Sequence, residues 1–172
     1  MALGGGEPTI LADFPELLAA IRRCGLVPNV TTNGALNSAK ILDALAEHAG
    51  TVHLSADRSD YLDAARGVGV SDRIKETARC LSACNVRWGV NLLLTPQNAQ
   101  SLNRSLIEMQ DLGATAVTLL RPKGESAARN WPGFPTPRDL RSIASSVKQF
   151  MKWQPALRMY VDTALRSEWS QA

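Results

Sequence analysis

The sequence predicts an α/β protein built as a barrel or partial barrel of parallel strands. Short apolar runs alternate with segments of helical periodicity five or six times along the chain. The runs are apolar almost throughout, which is typical of strands covered on both faces of a parallel sheet. The G-x-G-x-x-G turn of a dinucleotide-binding domain does not occur, so a barrel is favoured over a dinucleotide fold.

The predicted strands follow a short apolar lead of Met1-Ala2-Leu3. They combine Val, Leu and Thr, and turn-forming residues interrupt the chain between them. The pair Asn33-Gly34, for example, is a turn signal directly after the first long run. The predicted strands are 26–32, 51–55, 86–95 and 116–120, with 157–161 as a candidate final strand.

Helices are predicted between the strands, because apolar residues recur there at helical spacing. Asp13 with Glu16 three residues later predicts a capping box, and Gly25 predicts the end of that helix. Thr136 followed by Pro137 predicts the start of the last helix, which runs to about residue 152. The four helices before the last one are defined by mostly apolar positions at helical spacing. These positions are Leu17, Leu18 and Ile21; Ile41, Leu42 and Leu45; Ile74, Thr77, Ala78 and Leu81; and Leu102, Leu106, Ile107 and Met109.

The composition predicts one cytoplasmic domain that binds neither nucleic acid nor a membrane. In 172 residues, 45% apolar residues supply a core, and the net charge of +3 comes from scattered basic residues. No stretch approaches the ~20 apolar residues of a membrane-spanning helix. The three cysteines are an odd number, which argues against a disulfide framework and indicates a reducing compartment.

Glycine-rich or polar clusters follow the predicted strands, and ligands of parallel barrels bind at the carboxyl ends of the strands. The clusters are Gly4–Glu7, Thr32-Asn33, Ser55–Asp57, Asn91–Thr95 and Leu120-Arg121. The glycines allow a close approach of backbone to ligand, because glycine adopts positive φ and carries no side chain. Each residue taken alone is equally consistent with a turn or a cap. The alignment of five clusters with five strand ends is what indicates a site.

The order of these segments resembles the radical SAM enzymes, in particular those that modify peptides and carry a C-terminal extra-cluster domain. The resemblance spans residues 1–122, and 123–172 add a long loop, the last helix and the candidate final strand. It implies a single incomplete domain over 1–172, a partial (β/α)6 TIM-like barrel missing its first βα unit. The matching segments are Gly5-Gly6-Glu7-Pro8, Thr31-Thr32-Asn33-Gly34, Leu54-Ser55-Ala56-Asp57, Asp63-Ala64-Ala65-Arg66-Gly67, 90–98, Leu112-Gly113-Ala114 and 119–122.

The resemblance also implies the cofactors and the residues that hold them. In such enzymes a [4Fe–4S] cluster reductively cleaves S-adenosylmethionine (SAM), and the resulting 5′-deoxyadenosyl radical removes hydrogen from a peptide or protein substrate. By this resemblance, Gly5, Gly6 and Glu7, in the motif closed by Pro8, contact the methionine amino group of SAM, largely through their backbone. It also implies that Ser55 and Arg66 contact its carboxylate or ribose, and that Asp57 contacts SAM or the substrate. By the same resemblance, Asn91 faces the ribose, and Leu119 or Leu120 lines the adenine pocket.

The cluster-binding motif of that family, C-x3-C-x2-C, is absent from the sequence. Cys80 and Cys84 have the first spacing, but Arg87 stands at the third position, and both cysteines precede the strand 86–95. They are predicted to pack in the core or lie on a helix surface, and Cys24 is predicted to pack. The resemblance therefore implies a chain truncated at both ends that provides no metal ligands and retains at most SAM binding.

Two alternatives stay open at this point. One is a non-catalytic SAM- or nucleotide-binding module, or half of a split enzyme whose partner supplies the missing cysteine segment. The other is an ordinary phosphate-binding (β/α) barrel enzyme that shares these turns. Among individual residues, His53 in mid-strand is predicted to be structural, and Trp131 in the long loop is a candidate for substrate contact.

Overall fold

Strands and helices alternate along the chain in the computed structural model, which describes residues 1–35, 38–55, 70–95, 102–121, 136–154 and 156–162. The strands within these ranges are β1 (Ala2–Leu3), β2 (Asn29–Thr32), β3 (Thr51–Ser55), β4 (Trp88–Leu93), β5 (Ala116–Leu120) and β6 (Arg158–Val161). The helices are α1 (Phe14–Arg23), α2 (Ala39–His48), α3 (Val70–Ala83), α4 (Leu102–Asp111) and α5 (Pro137–Trp153). A single 3-10 turn at Pro8–Ile10 lies between β1 and α1.

The six strands form one parallel sheet, and their order in the sheet is their order along the chain. Because βαβ connections are right-handed, this order places the connecting helices on one face of the sheet. The predicted partial barrel of alternating strands and helices is confirmed, and the candidate final strand is β6. Within the described strands, β1 and β6 are the two edges of the sheet.

The main core lies between the sheet and the helices. Successive strand residues point to opposite faces, and the residues of β2 to β5 on the helix-covered face are almost fully buried. The cluster joins Val30, Val52, Leu54, Val90, Leu92, Val117 and Leu119 of the strands to Leu18, Leu45, Leu81, Leu106 and Ile143 of the helices. The other face carries the half-buried residues Thr31, His53, Ser55, Asn91 and Thr118. We call this the inner face.

The last helix begins at the Thr136-Pro137 pair that predicts its start, and it carries a cap there that the sequence analysis does not predict. Thr136 Oγ1 accepts a hydrogen bond from the Asp139 N–H at 3.2 Å, and the Asp139 carboxylate accepts one from the Thr136 N–H at 2.8 Å. This reciprocal capping box satisfies two backbone donors at the helix terminus, with Pro137 in the first turn.

The capping box predicted for α1 is wrong. Asp13 does precede the helix, but its side chain makes no capping hydrogen bond. Its backbone has φ −99° and ψ 18°, which is not the extended conformation in which an N-cap side chain reaches the first free N–H groups. The predicted stop at Gly25 is confirmed, since this residue follows α1 with a φ of 74°.

Two predicted strands are longer than the observed ones. The run 26–32 contributes only Asn29–Thr32 to the sheet, because Pro28 has no N–H for a ladder and Leu26 and Val27 are exposed. The carbonyl groups of Val27 and Pro28 instead accept hydrogen bonds from the Met1 amino group and the Gly50 N–H. The run 86–95 is a strand over Trp88–Leu93 only.

The longest of the described helices is α5, with 17 residues. Across the described ranges, no helix combines the length and the apolar character needed to cross a membrane.

Candidate functional site

The carboxyl ends of β1 to β4 bring four of the predicted clusters to one edge of the sheet. The glycine run follows β1, Asn33 follows β2, Ser55 ends β3, and Asn91 lies near the end of β4. In the sheet register Ser55 lies opposite Asn91, and Asn91 lies opposite Thr118 of β5. These side chains form a polar row across three strands of the inner face.

The glycine loop after β1 leaves its backbone accessible. Gly5 adopts a φ of 117°, a conformation that favours glycine. A Cβ atom added to Gly5 or to Gly6 meets nothing within 4 Å in the structure, whereas one on Gly4 lies 3.8 Å from Thr31 Cβ. One side of the Gly5-Gly6 backbone therefore faces open space, as close contact with a ligand requires.

The Glu7 carboxylate holds this loop against the loop that follows β2. Its Oε1 atom accepts hydrogen bonds from the Thr9 N–H at 3.2 Å, the Thr9 hydroxyl at 2.6 Å and the Thr32 hydroxyl at 2.7 Å. Its Oε2 atom accepts one from the Asn33 N–H at 2.6 Å. Bonds to an ionised acceptor are stronger than neutral ones, so this one side chain fixes two strand-end loops relative to each other.

The loop after β2 is fixed from its other side as well. Thr32 Oγ1 accepts the Gly34 N–H at 3.1 Å, and Asn33 Oδ1 accepts the Ala35 N–H at 2.8 Å. The carbonyl of Gly34 in turn accepts the hydroxyl of Thr77, a buried residue of α3, at 2.8 Å. The strand end and the neighbouring helix thus determine the position of this loop.

The inner face continues the site away from the glycine loop. His53 Nδ1 lies 3.2 Å from Asn91 Oδ1, a diagonal contact between β3 and β4. One pleat beyond the polar row, the half-buried Leu93 and Leu120 are register partners and form an apolar ledge. From β1 to β5, this edge of the sheet therefore offers a ligand first open backbone, then polar side chains and then an apolar surface.

The structure separates the two leucines proposed for the adenine pocket. Leu119 has an exposed fraction of 0% and belongs to the core under the helices, on the face opposite the polar row. Leu120 lies on the inner face and is the one available to a ligand there. Two other predicted site residues, Asp57 and Arg66, lie outside the described residues, as does Trp131.

An open pocket of about 320 Å³ adjoins the glycine loop on the side of β1. Its walls combine the loop with apolar residues of β1, of the 3-10 turn and of α1. They are Leu3, Gly4, Gly6, Glu7, Pro8, Ile10, Leu11 and Leu17. The loop is thus bordered by a space large enough for part of a small organic ligand.

The cysteines lie away from this edge. Cys24 follows α1, and Cys80 and Cys84 lie in and just after the last turn of α3. Helices of a parallel α/β sheet run back to the amino ends of the strands, so these residues lie at the opposite edge from the glycine loop. Cys24 is exposed, so the prediction that it packs is wrong. In the described part of the chain, no three His, Cys, Asp or Glu side chains are grouped to hold a metal.

Sequence reasoning missed the partners of Glu7. Thr9 and Thr32 are polar residues with exposed fractions of only 3% and 4%, and both hydroxyls donate to the same carboxylate oxygen. A threonine at a strand end is ordinary in sequence, so no local signal marks these two. The bond from Thr32 spans 25 residues and depends on strand register, which the sequence pattern alone does not give.

Comparison with solved structures shows the same fold. The chain superimposes on SuiB of Streptococcus suis bound to S-adenosylmethionine with a TM-score of 0.80 at 20% identity, over 94% of this chain and 39% of that one. A further SuiB structure holds the precursor peptide SuiA. No protein-family model matches the chain.

The sequence relatives include proteins named as a peptide cyclase and as a maturase. The chain is 31% identical over 123 residues to the PqqA peptide cyclase of Streptomyces rochei, which is 69% of this chain and 34% of that protein. It is 29% identical over 156 residues to the mycofactocin maturase MftC of Mycolicibacterium smegmatis, 88% of this chain and 38% of that protein. These findings confirm the resemblance seen in the sequence: the chain carries a radical SAM core domain. It spans about a third of the length of the curated relatives it matches.

Proposed function

We propose that this chain binds SAM at the carboxyl ends of β1 to β5, as the core of an enzyme that cleaves SAM reductively at a [4Fe–4S] cluster and removes hydrogen from a peptide or protein substrate. The observation that carries the proposal is the glycine loop, which is clamped by Glu7 with one side of its backbone open. The names of the peptide cyclase relatives and the SuiA-bound SuiB structure favour a peptide as substrate.

The geometry suggests how each part of SAM is held. The carboxylate of Glu7 is engaged by the scaffold, so the loop offers a ligand chiefly its backbone groups, which suit the methionine amino end. Asn91, in the polar row with Ser55, supplies side-chain hydrogen bonds for the ribose or the carboxylate. Leu120 and Leu93 offer the apolar surface that an adenine ring requires. Arg66 and Asp57 remain proposed contacts from the sequence.

The residues present fit SAM but do not fit the iron–sulfur cluster. Cluster irons are ligated by cysteine thiolates, and the three cysteines of this chain lie at the edge of the sheet opposite the glycine loop. Cleaved SAM supplies hydrogen abstraction, and the contribution of these residues is to bind SAM, orient it and direct it toward the inner face.

The position of the cysteines favours a second candidate, in which this chain contributes the SAM-binding part and another segment or partner contributes the cluster ligands. Iron content after anaerobic reconstitution separates the two. The chain alone is expected to retain less than one cluster per molecule, and addition of a cysteine-bearing partner is expected to raise iron content and to start SAM cleavage. A stable cluster on the chain alone contradicts this candidate.

The SAM site itself is tested by Gly6→Val, with titration calorimetry of SAM as the measurement. A Cβ atom added to Gly6 meets no atom within 4 Å beyond its neighbours in the chain, so the variant is expected to unfold like the wild type. It is expected to weaken SAM binding at least tenfold, because the new side chain occupies the open side of the loop. The exposed Ala46 of α2, changed to Val, is the matched control and is expected to bind normally.

Competition distinguishes SAM from the phosphate ligands of an ordinary barrel enzyme. ATP and inorganic phosphate are expected to leave SAM binding unchanged at concentrations where S-adenosylhomocysteine displaces it. Tight phosphate binding without affinity for SAM overturns the proposal and favours the phosphate-binding alternative. Unchanged SAM affinity in Gly6→Val removes the glycine loop from the site.

A further inference from the structure

The inner face contains a side-chain pair of which the proposed SAM site uses Asn91 but not His53. His53 of β3 and Asn91 of β4 are joined by a contact of 3.2 Å between His53 Nδ1 and Asn91 Oδ1. His53 lies opposite Gly89 in the sheet register, and Asn91 lies opposite Ser55, so the contact runs diagonally toward the carboxyl ends of the strands. Both side chains are half-buried.

The two atoms in this contact determine which side chain donates the hydrogen bond. An amide oxygen only accepts hydrogen bonds, so the ring nitrogen that faces it must be the donor. His53 therefore carries its proton on Nδ1, either as the neutral Nδ1–H tautomer or as the imidazolium. With Oδ1 held toward the ring, the Nδ2 amino group of Asn91 points away from His53, and this group only donates.

The surroundings leave that amino group available. Within the described part of the chain, His53 is the hydrogen-bond partner of the Asn91 side chain. The register neighbours of Asn91 on the same face, Ser55 and Thr118, carry short hydroxyl side chains. Gly89, two residues earlier on β4 and opposite His53, has no side chain at all. Asn91 is half-buried, so its side chain is partly exposed on the inner face, close to the strand ends.

We propose that His53 is a positioning residue, which locks the Asn91 amide with its oxygen toward the sheet and its amino group toward the ligand. Asn91 then acts as a hydrogen-bond donor that selects an acceptor atom, such as a ribose oxygen or a carboxylate oxygen of SAM. A free amide rotates between its two orientations, and the bond to His53 removes that freedom before the ligand arrives. The identity of the ligand rests on the proposed function, whereas the orientation of the amide does not.

The orientation is tested by nuclear magnetic resonance on the full chain without ligand. The sequence contains only two histidines, so the ring nitrogens of His53 are readily assigned and His48 serves as an internal reference. The expected result is a protonated Nδ1 in His53 in the wild type and in Asn91→Asp, whose carboxylate still accepts the bond. Asn91→Ala is expected to lower the Nδ1–H population. A neutral Nε2–H ring in the wild type overturns the inference, whether or not SAM binds.

The effect on the ligand is tested by calorimetric titration with SAM. His53→Phe keeps an aromatic ring but loses the donor, and is expected to weaken binding about five- to tenfold, the size of one ordinary hydrogen bond. His53→Asn places an N–H donor at the position of Nδ1 and is expected to restore affinity to within about twofold of the wild type. Asn91→Asp is expected to weaken binding although the His53 proton stays on Nδ1, because a carboxylate cannot donate.

Each outcome separates this inference from simpler explanations. Equal losses in His53→Phe and His53→Asn mean that the ring acts through packing, and wild-type affinity in His53→Phe means that it does not position Asn91. Either result overturns the inference. His48→Asn controls for the loss of a histidine and is expected to bind normally. If the wild type binds no SAM, the proposed function fails, and the resonance experiment still decides the orientation of the pair.

Discussion

At the scale of the residue, Glu7 has the largest predicted effect on the site. Its two carboxylate oxygens accept four hydrogen bonds, and two of these come from backbone N–H groups, those of Thr9 and Asn33. In Glu7→Gln either orientation of the new amide places its amino group against one of these two N–H groups. Since a backbone donor cannot rotate away, we expect a loss of about 1–3 kcal/mol in the free energy of unfolding.

Urea denaturation at neutral pH measures this loss. Glu16→Gln is the matched control, because Glu16 is an exposed residue of α1 whose partner is the exposed Lys40. The hydrogen bond from Lys40 lowers the pKa of Glu16, but solvent screens such a surface pair, and the control is expected to unfold like the wild type. A Glu7→Gln variant that is as stable as the wild type would show that the two loops do not depend on the carboxylate.

A second residue-scale prediction concerns the buried Trp88, whose exposed fraction is 1%. Its indole N–H donates to Ser82 Oγ at 2.8 Å, and that hydroxyl donates to the Leu112 carbonyl at 2.8 Å. Ser82→Ala leaves the indole N–H without this acceptor and is expected to destabilise the fold by about 1–3 kcal/mol. In the background Trp88→Phe, which has no N–H, the same change is expected to cost less. Equal costs in both backgrounds contradict a contribution from this bond.

At the scale of the element, the cap of α5 makes a prediction about pH. The backbone and side chain of Thr136 donate to the Asp139 carboxylate, which lowers the pKa of Asp139 in the folded protein. A folded pKa below the unfolded one adds stability above the unfolded value of about 3.9, and this stability is lost as the pH falls through the folded pKa. The difference in unfolding free energy between wild type and Asp139→Asn is therefore expected to be largest at neutral pH and to shrink below about pH 4.

The other half of this capping box is tested at constant pH. Thr136→Ala removes the side-chain acceptor of the Asp139 N–H and is expected to cost about 1 kcal/mol, whereas Thr136→Ser keeps the hydroxyl and is expected to cost less. Thermal unfolding monitored by circular dichroism measures both.

The pH prediction for Asp139 has its own contrary outcome. A difference in unfolding free energy between wild type and Asp139→Asn that grows as the pH falls would mean that Asp139 is not stabilised in its charged form.

The elements also show which parts of the fold the sequence reveals. Strands β3 and β5 begin and end where the sequence predicts, because each is a short apolar run with turn signals before it. The start of β2 was not predictable from hydrophobicity, since Leu26 and Val27 are apolar yet exposed, and Pro28 delays the pairing. The start of α5 at Thr136-Pro137 is predicted correctly, whereas the capping box predicted at Asp13 is wrong, because the residue type alone does not determine the backbone angles that orient a cap side chain.

For the site, the sequence reveals positions but not contacts. The strand-end rule places Glu7, Ser55 and Asn91 at one edge, as the register confirms. The bonds that organise them join residues far apart in the chain, 26 residues for Glu7 to Asn33 and 38 for His53 to Asn91. Such contacts follow from strand register and side-chain direction, which become known only when the sheet is assembled.

At the scale of the whole molecule, the open parallel sheet predicts a gradient of stability from its centre to its edges. Strands β3, β4 and β5 each pair on both sides and carry residues with exposed fractions of 0–2% on the helix-covered face, such as Val52, Val90 and Leu119. Strand β1 contributes only two residues at one edge, and β6 alternates between exposed and half-buried residues at the other. Local opening therefore costs least at the edges.

Amide hydrogen exchange measures this gradient directly. The amides of β3 to β5 are expected to exchange only through global unfolding, so low concentrations of urea should accelerate them all with one common slope. The amides of β1 and β6 are expected to exchange faster and to respond little to urea, because local fraying exposes little surface. Saturating SAM is expected to slow exchange at Gly5, Gly6 and Asn33, because the glycine loop closes against the ligand. The exchange rates of the β6 amides relative to the other strands are expected to stay the same. Protection of β6 equal to that of β4 contradicts the gradient. Faster exchange at Gly5 and Gly6 in the presence of SAM would place the ligand away from the loop that Glu7 holds.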